Sequence, residues 1–421
     1  MIRFCLFLFL GLGICTAVQA QSDSLAYARY FRVRQGLPHF FSRLKAGQPV
    51  RIAYLGGSIT EAGGGWRDQS ADWFRQQYPK ATVSQIAAGI GGTGSDLGVF
   101  RLQSQVLDQH PDLVFVEFAV NDNGKKPEQI HRAMEGIVRK IRKNNSHTDI
   151  CFVYTLTGDM APILREGRLP VSAASMEQIA EHYGIPTVHM GLRVVALAGE
   201  GKLIFKGKKE DYPDKIVFSP DNVHPYAETG HKFYTEALAD AMKVLAQKDA
   251  GKSRRLPKPY RKDNWENARM IPATELVREG NWQVLTPETD PVAKQLRSRF
   301  PVVLKASEPG AALVIRYKGA VCGLYDVIGS GCGQYTVTAE GSPDTLIPRF
   351  DGFATYYRSH YFFFPDSSGK GTHTLRLQVA AQGPDKTAIL STRGAKMDDP
   401  ARFRENACYA GYLLVVGKLV K

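Results

Sequence analysis

Between residues 50 and 248, short apolar runs alternate with longer segments in which apolar positions recur every three or four residues. The short runs, Val50 to Leu55, Thr82 to Ala88, Leu113 to Ala119, Ile150 to Leu156 and Ile185 to Met190, have the pattern of strands buried on both faces. The segments between them, 66–78, 95–109, 127–144 and 172–184, have helical length. A last helix begins near Pro225, a residue tolerated in a first turn, and aligns Tyr234, Leu238, Ala241 and Leu245 on one face. This alternation predicts a doubly wound α/β domain over residues 21–248, a parallel sheet with helices on both sides.

The pattern then changes. Residues 249–264 are polar and basic and contain Pro257 and Pro259, the composition of a linker. From 265 to 421 the apolar runs are short and β-rich: Ala312 to Tyr317, Gln334 to Ala339, Ser359 to Phe364, Thr374 to Val379 and Tyr409 to Val416. Gly, Pro and Asp turns separate them, which predicts an antiparallel β-sandwich. A chain of 421 residues is long enough for two such cores. Its 43% hydrophobic and 23% charged content excludes a disordered or multi-spanning chain.

The first twenty residues depart from this average. Arg3 precedes the apolar run Cys5 to Ile14, and the small-residue triplet Val18-Gln19-Ala20 precedes Gln21, which reads as a secretory signal cut after Ala20. Export to the periplasm or the extracellular space is expected, with no later apolar run long enough to span a bilayer. Cys151, Cys322, Cys332 and Cys408 then remain; Cys322 and Cys332 are the best candidate disulfide, with buried free thiols an equal alternative. No Cys/His spacing resembles a metal site.

Lys and Arg number 54 against 41 Asp and Glu, a net charge of +13, and the excess is local. Residues 243–262 carry eight cations against Asp249 alone, and Lys202, Lys206, Lys208 and Lys209 form a second cluster. Such a field attracts an acidic polysaccharide, although a solvated linker and an exposed loop explain each run taken singly. No recognition motif points to nucleic acid.

Candidate chemistry gathers where a parallel sheet presents its carboxyl ends. The first strand runs into Leu55-Gly56-Gly57-Ser58-Ile59-Thr60, placing the Ser58 hydroxyl there. The second ends in Gly89-Ile90-Gly91-Gly92-Thr93-Gly94, whose glycines let backbone N–H groups approach a substrate oxygen. The third leads through Glu117 into Asn121-Asp122, which supplies a side-chain amide. Before the last helix, Asp221-Asn222-Val223-His224 has a spacing that lets a carboxylate orient an imidazole, which then acts as base toward a serine. The glycine loop also spells G-x-G-x-x-G, with Glu117 following at the distance of a ribose-binding acid, but a dinucleotide site leaves Ser58 and His224 without a role.

These four blocks, in this order and on these elements, resemble the SGNH hydrolase (GDSL esterase/lipase) superfamily over about residues 50–248. The resemblance implies a flavodoxin-like three-layer α/β/α fold. It implies Ser58 as nucleophile, Asp221 and His224 as its partners, and an oxyanion hole of Ser58, Gly92 and Asn121, with Gly89 and Gly91 as alternatives to Gly92. It calls for no cofactor and no metal. Gly57 stands where the family usually has aspartate, and Ala119 where it usually has glycine. Trp66 and Arg67, after the glycine run 63–65, are candidate substrate contacts, although Trp66 also suits helix-packing core. His231 is expected at the surface, His189 in the core, and Asp122 either supports Asn121 or caps a loop.

What the resemblance implies is ester hydrolysis, and exported branches of the family are similar to glycan acetylesterases. An esterified carbohydrate is therefore the expected substrate, with a carbohydrate-binding role for the sandwich domain. The aromatic segments Phe353 to Tyr357 and Tyr361 to Phe364 either stack sugars or fill that domain's core. Two alternatives use the same sequence: a sugar O-acyltransferase, and a non-catalytic glycan-binding protein on a hydrolase scaffold.

Overall fold

The computed structural model describes residues 30–248, 256–365 and 371–420. The expected signal segment and residues 249–255 of the expected linker lie outside them. Among the described residues, no helix is long and apolar enough to cross a membrane.

The first domain is built on a six-stranded sheet of β1 (Phe31–Arg32), β2 (Val50–Gly56), β3 (Val83–Gly89), β4 (Leu113–Glu117), β5 (Asp149–Tyr154) and β6 (Thr187–His189). Its order is β1-β6-β5-β4-β2-β3, parallel throughout except for the antiparallel edge strand β1. All five strands read from apolar runs are present, and within this sheet the two-residue β1 is the addition. The helices are α1 (Pro38–Lys45), α2 (Ser58–Glu61), α3 (Trp66–Gln77), α4 (Ser95–Gln105), α5 (Pro127–Asn144), α6 (Ala161–Arg165), α7 (Val171–Tyr183), α8 (Leu192–Gly199) and α9 (Lys232–Leu245).

Alternate strand positions face opposite layers. Ala53, Leu55, Val114 and Val116 pack with α4, α5 and α7. Ile52, Tyr54, Leu113 and Phe115 pack with α1, α3, α8 and α9. Glycine at 184, in the left-handed region at φ 64°, ends α7 as glycine C-caps do. The last helix differs from expectation at its start. A π-helical turn, Ala227–His231, precedes α9, and the His231 N–H bonds to the Tyr226 carbonyl at 3.1 Å. A short parallel pair, β7 (Leu203–Lys206) and β8 (Ile216–Ser219), leads into that turn.

Every pairing between strands described in the second domain is antiparallel. Its large sheet comprises β9 (Ala268–Pro272), β10 (Val277–Glu279), β13 (Ala312–Ile328), β14 (Gln334–Ala339), β15 (Thr345–Pro348), β16 (Arg358–Phe363), β17 (His373–Val379) and β19 (Tyr412–Leu419). A smaller sheet joins β11 (Gln283–Leu285), β12 (Val303–Ala306) and β18 (Cys408–Ala410). Helix α10 (Pro291–Gln295) lies between β11 and β12, with Asp290 capping it by accepting from the Val292 and Ala293 N–H groups.

Strand β13 runs 17 residues, far beyond the six-residue run that its apolar pattern marks. That length overturns the disulfide expectation. Between Cys322 and Ile328 the chain continues straight, so Cys322 joins a core with Leu313 and Leu377 while Cys332 joins another with Tyr325 and Tyr409. Cys151, Cys322, Cys332 and Cys408 are all free and buried.

The described part of the linker segment is strapped to α5. Glu135 accepts from the N–H groups of Tyr260 and Arg261, Arg139 donates to the Pro257 carbonyl, and the Arg132 carbonyl accepts from Trp265 N–H. Trp265, Phe100 and Phe363 then form an aromatic triangle with centroids 5.7 to 5.9 Å apart, and one hydrophobic core runs from α4 and α5 into the second domain. Tyr361 to Phe364 belong to this packing or to the sandwich core, while Phe353 and Tyr356 stay exposed.

His189 is a core residue, as expected, with its ring edge-on to Tyr154 at 5.9 Å. Burial holds its imidazole down to about 4 from the ordinary 6.5. The folded chain keeps His189 neutral where the unfolded chain protonates it, so stability is lost as pH falls through that window, at up to about 1.4 kcal/mol per pH unit. Replacing His189→Asn should flatten the acid side of the stability profile in urea denaturation; a profile parallel to that of the wild type would contradict this account.

Candidate active site

Three strand ends converge on one rim. β2 stops at Gly56, and Ser58 opens α2, so the Ser58 N–H lies in a first turn with no intrahelical acceptor. Beside it, the Gly57 position has no room for a side chain: a Cβ there would lie 1.9 Å from Asn121 Oδ1. The missing side chain lets the Asn121 amide close on the serine turn from the end of β4. From the end of β3, Gly91 approaches on the other side, its Cβ position 3.6 Å from Ser58 Cβ.

The three candidate glycines differ in what they leave open. Gly89 is buried against the backbone of Glu61, and the Gly91 N–H donates to Glu61 Oε2 at 2.7 Å. Gly92 is exposed and left-handed at φ 70°, with nothing near its Cβ position. Among the described residues its N–H has no acceptor, which leaves it available to a ligand.

His224 reaches this rim across 166 residues of sequence: its Nε2 lies 2.9 Å from Ser58 Oγ. Asp221 Oδ2 accepts from Nδ1 at 2.6 Å, and Asp221 Oδ1 accepts from the backbone N–H groups of His224 and Val223 at 2.8 and 3.0 Å. Burial pushes the Asp221 carboxyl up, but donation from the His224 ring and from these two N–H groups outweighs it and holds the group below its usual value. The network assigns the proton to Nδ1 and leaves Nε2 free to accept from Ser58. Asn222 makes the tight turn by adopting φ 77°, a conformation asparagine tolerates. Its N–H bonds to Ser219 Oγ at 2.7 Å and its carbonyl to Gly158 N–H at 3.1 Å. The side chains of Asp221 and His224 are about half exposed, so the site is open to a ligand.

Buried polar groups that sequence reasoning missed hold this rim together. Glu117 lies under the serine turn and accepts from Gly57 N–H, from Thr60 Oγ1 at 2.9 Å and from Thr155 Oγ1 at 2.6 Å. Burial pushes its carboxyl up, and these donors draw it partly back. Its engagement beneath the sheet edge removes it as a ribose ligand and with it the dinucleotide reading. On α4, fully buried Arg101 donates to the carbonyls of Ala88 and Gly56 at 2.6 and 2.9 Å, tying the ends of β3 and β2 together. One signal was present in the sequence: each is a lone charge among apolar neighbours, which must find partners once buried.

Other expectations change. Trp66 is fully buried and packs edge-on against Tyr54 and Phe115, so it does not contact substrate. Arg67 points back at α2, donating to the carbonyls of Thr60 and Glu61 and pairing with Asp68. His231 is buried rather than at the surface, because the π turn shifts its register inward, and its Nδ1 accepts the Trp66 N–H at 3.1 Å. Burial, with the nearby His224, holds its imidazole down to about 4. Asp122 caps α4 by accepting the Ser95 N–H at 3.0 Å and pairs with Lys125. Among the described residues, no group of three or more His, Cys, Asp or Glu side chains is arranged to hold a metal ion.

Two crystal structures of a two-domain esterase (CEX) active on acetylated mannans, one co-crystallized with mannopentaose, share this fold. They cover 94% of this chain and 99% and 100% of their own, with TM-scores of 0.71 and 0.72 at 18% sequence identity. No curated protein sequence matches the chain. Residues 54–232 match the GDSL-like Lipase/Acylhydrolase family. The similarity to that family falls on the first domain, the part of the chain that holds the serine-bearing turn and the Asp-x-x-His segment.

Proposed function

We propose that this protein is an exported serine esterase that removes acetyl groups from a carbohydrate. The observation that carries the reading is the unbroken hydrogen-bond chain Asp221–His224–Ser58 beside an amide and the N–H groups of Ser58 and Gly92, which have no acceptor among the described residues. Similarity in fold to a two-domain esterase active on acetylated mannans supports a glycan ester as substrate. The first twenty residues support export. Local pairing of Lys202 with Glu200, Lys209 with Glu228, Lys243 with Asp240 and Arg261 with Asp263 weighs against recognition of an acidic polysaccharide.

In this mechanism His224 Nε2 takes the Ser58 proton as Oγ attacks the acetyl carbonyl. Charge developing on the carbonyl oxygen is met by the N–H groups of Ser58 and Gly92 and by the Asn121 amide. Asp221 stays ionised and stabilises the imidazolium. The tetrahedral intermediate expels the sugar alkoxide, which takes the proton from His224, and leaves acetyl-Ser58. Water, deprotonated by the same imidazole, releases acetate and regenerates the serine. Of the exposed aromatics of the second domain, Phe353 already carries Arg393 over its ring at 3.8 Å, which leaves Tyr356 as the better candidate for sugar stacking.

Labelling with a fluorophosphonate tests the nucleophile: modification should fall on the peptide containing Ser58 and vanish in Ser58→Ala, and an unlabelled, folded protein would rule the esterase out. Asn121→Ala should lower kcat for acetate release by about 10²- to 10³-fold without lowering the thermal midpoint, since only the transition state needs the amide. The family's usual aspartate at position 57 should harm this chain. In Gly57→Asp the new side chain collides with the Asn121 amide, at a cost of about 1 to 3 kcal/mol in stability measured by urea denaturation, together with lost turnover. Wild-type stability and rate in that variant would show that the amide has room to move.

A further inference from the structure

The second domain touches the rim at the loops that carry the proposed oxyanion donors. Arg299, three residues beyond Leu296 at the end of α10, extends to the first domain and pairs through Nη2 with Glu61 Oε1. The other oxygen of the same carboxylate accepts the Gly91 N–H at 2.7 Å. The Gly91 N–H belongs to the peptide unit just before the one that carries the Gly92 N–H, so fixing it leaves only the two Gly91 torsions to decide where the Gly92 N–H points. Gly92 itself, glycine in the left-handed region with open space around it, has no side chain to hold it. Arg299 stands on a firm base: its N–H bonds to the Leu296 carbonyl at 2.8 Å, and the adjacent Phe300 is fully buried against Tyr325 at 4.7 Å between centroids.

A second contact braces the other donor. Tyr361 on β16 donates to Asp96 Oδ1 at 2.8 Å; Lys125 bridges Asp96 and Asp122 at 2.6 and 2.9 Å, and Asp122 follows Asn121 directly. No side chain of the second domain is needed in the bond-making steps above, yet both donor loops are held from that side.

We infer that Arg299 is a positioning residue: through Glu61 it anchors the peptide that enters Gly91, and so restricts the next one, whose Gly92 N–H donates to the oxyanion, so the second domain completes the hydrolase site. The inference rests on the esterase reading and deepens it. Glu61 bridges two donors because a carboxylate offers two acceptor oxygens, whereas an amide offers one. Glu61→Gln can therefore satisfy Arg299 or Gly91 but not both.

The test is acetate release from 4-nitrophenyl acetate by the full chain as wild type, Arg299→Ala, Arg299→Lys, Glu61→Gln and the Arg299→Ala/Glu61→Gln double variant. Lys143→Ala serves as control, since it removes a pairing with Glu266 that leads to neither donor loop. Arg299→Ala and Glu61→Gln should each lower kcat about 10-fold or more, below the roughly 10²- to 10³-fold of losing a donor outright, with KM nearly unchanged. Arg299→Lys should recover part of the loss, and the double variant should be no slower than the slower single, as for residues acting in one chain. Thermal midpoints should match that of Lys143→Ala. An active wild type whose kcat survives both Arg299→Ala and Glu61→Gln overturns the inference alone, as do additive losses or a fall in KM-dependent binding only. A wild type that neither releases acetate nor takes up a fluorophosphonate overturns the esterase reading beneath it.

Discussion

Everything in this molecule that bears on chemistry depends on holding Ser58 Oγ within 2.9 Å of His224 Nε2 across a chain separation of 166 residues. Neither residue can do this alone, because both stand on turns outside the sheet. The parallel sheet provides the meeting place. β2 pairs with β3 on one side and β4 on the other, so the connections leaving their carboxyl ends diverge and open a crevice at that point. Ser58, Gly92 and Asn121 follow β2, β3 and β4, and the β8 turn brings in the histidine from the far side.

A rim assembled from four loops is loose unless its loops are tied to something rigid, and here the ties are buried charges. Glu117 holds Gly57 and Thr60 from below, and Arg101 holds the last carbonyls of β2 and β3. Such groups are costly to bury and stay only where each lone pair or proton is matched. They turn a hydrophobic sheet, which specifies face but not fine position, into a support accurate enough for a hydrogen-bonded triad.

The second domain is part of the same support. Its core is continuous with that of the first domain through Phe100, Trp265 and Phe363, and the segment before it is pinned along α5. Domains joined by a large apolar contact do not move freely relative to one another. The ion pair and hydroxyl contact that reach the glycine and asparagine loops are therefore fixed features of the folded chain, not chance encounters between mobile units.

Much of this was legible in the sequence. Apolar runs of strand length between helical segments specified the five parallel strands and their order of appearance, because a buried strand needs only local composition to announce itself. The serine, glycine, asparagine and Asp-x-x-His blocks were readable because each sits where the pattern breaks at a strand end or before a helix. What tertiary structure alone decided was partnership. The inward turn of His231 depended on a π-helical register, the separation of Cys322 from Cys332 on a strand that ran past its apolar stretch, and the burial of Trp66 on neighbours in two other elements. The engagement of Gly89 and Gly91, which leaves Gly92 open, depended on Glu61 from another loop, and the pairing of Glu61 with Arg299 joined residues of different domains. Periodicity records which face of an element avoids water; it carries no record of which distant residue waits on the other side.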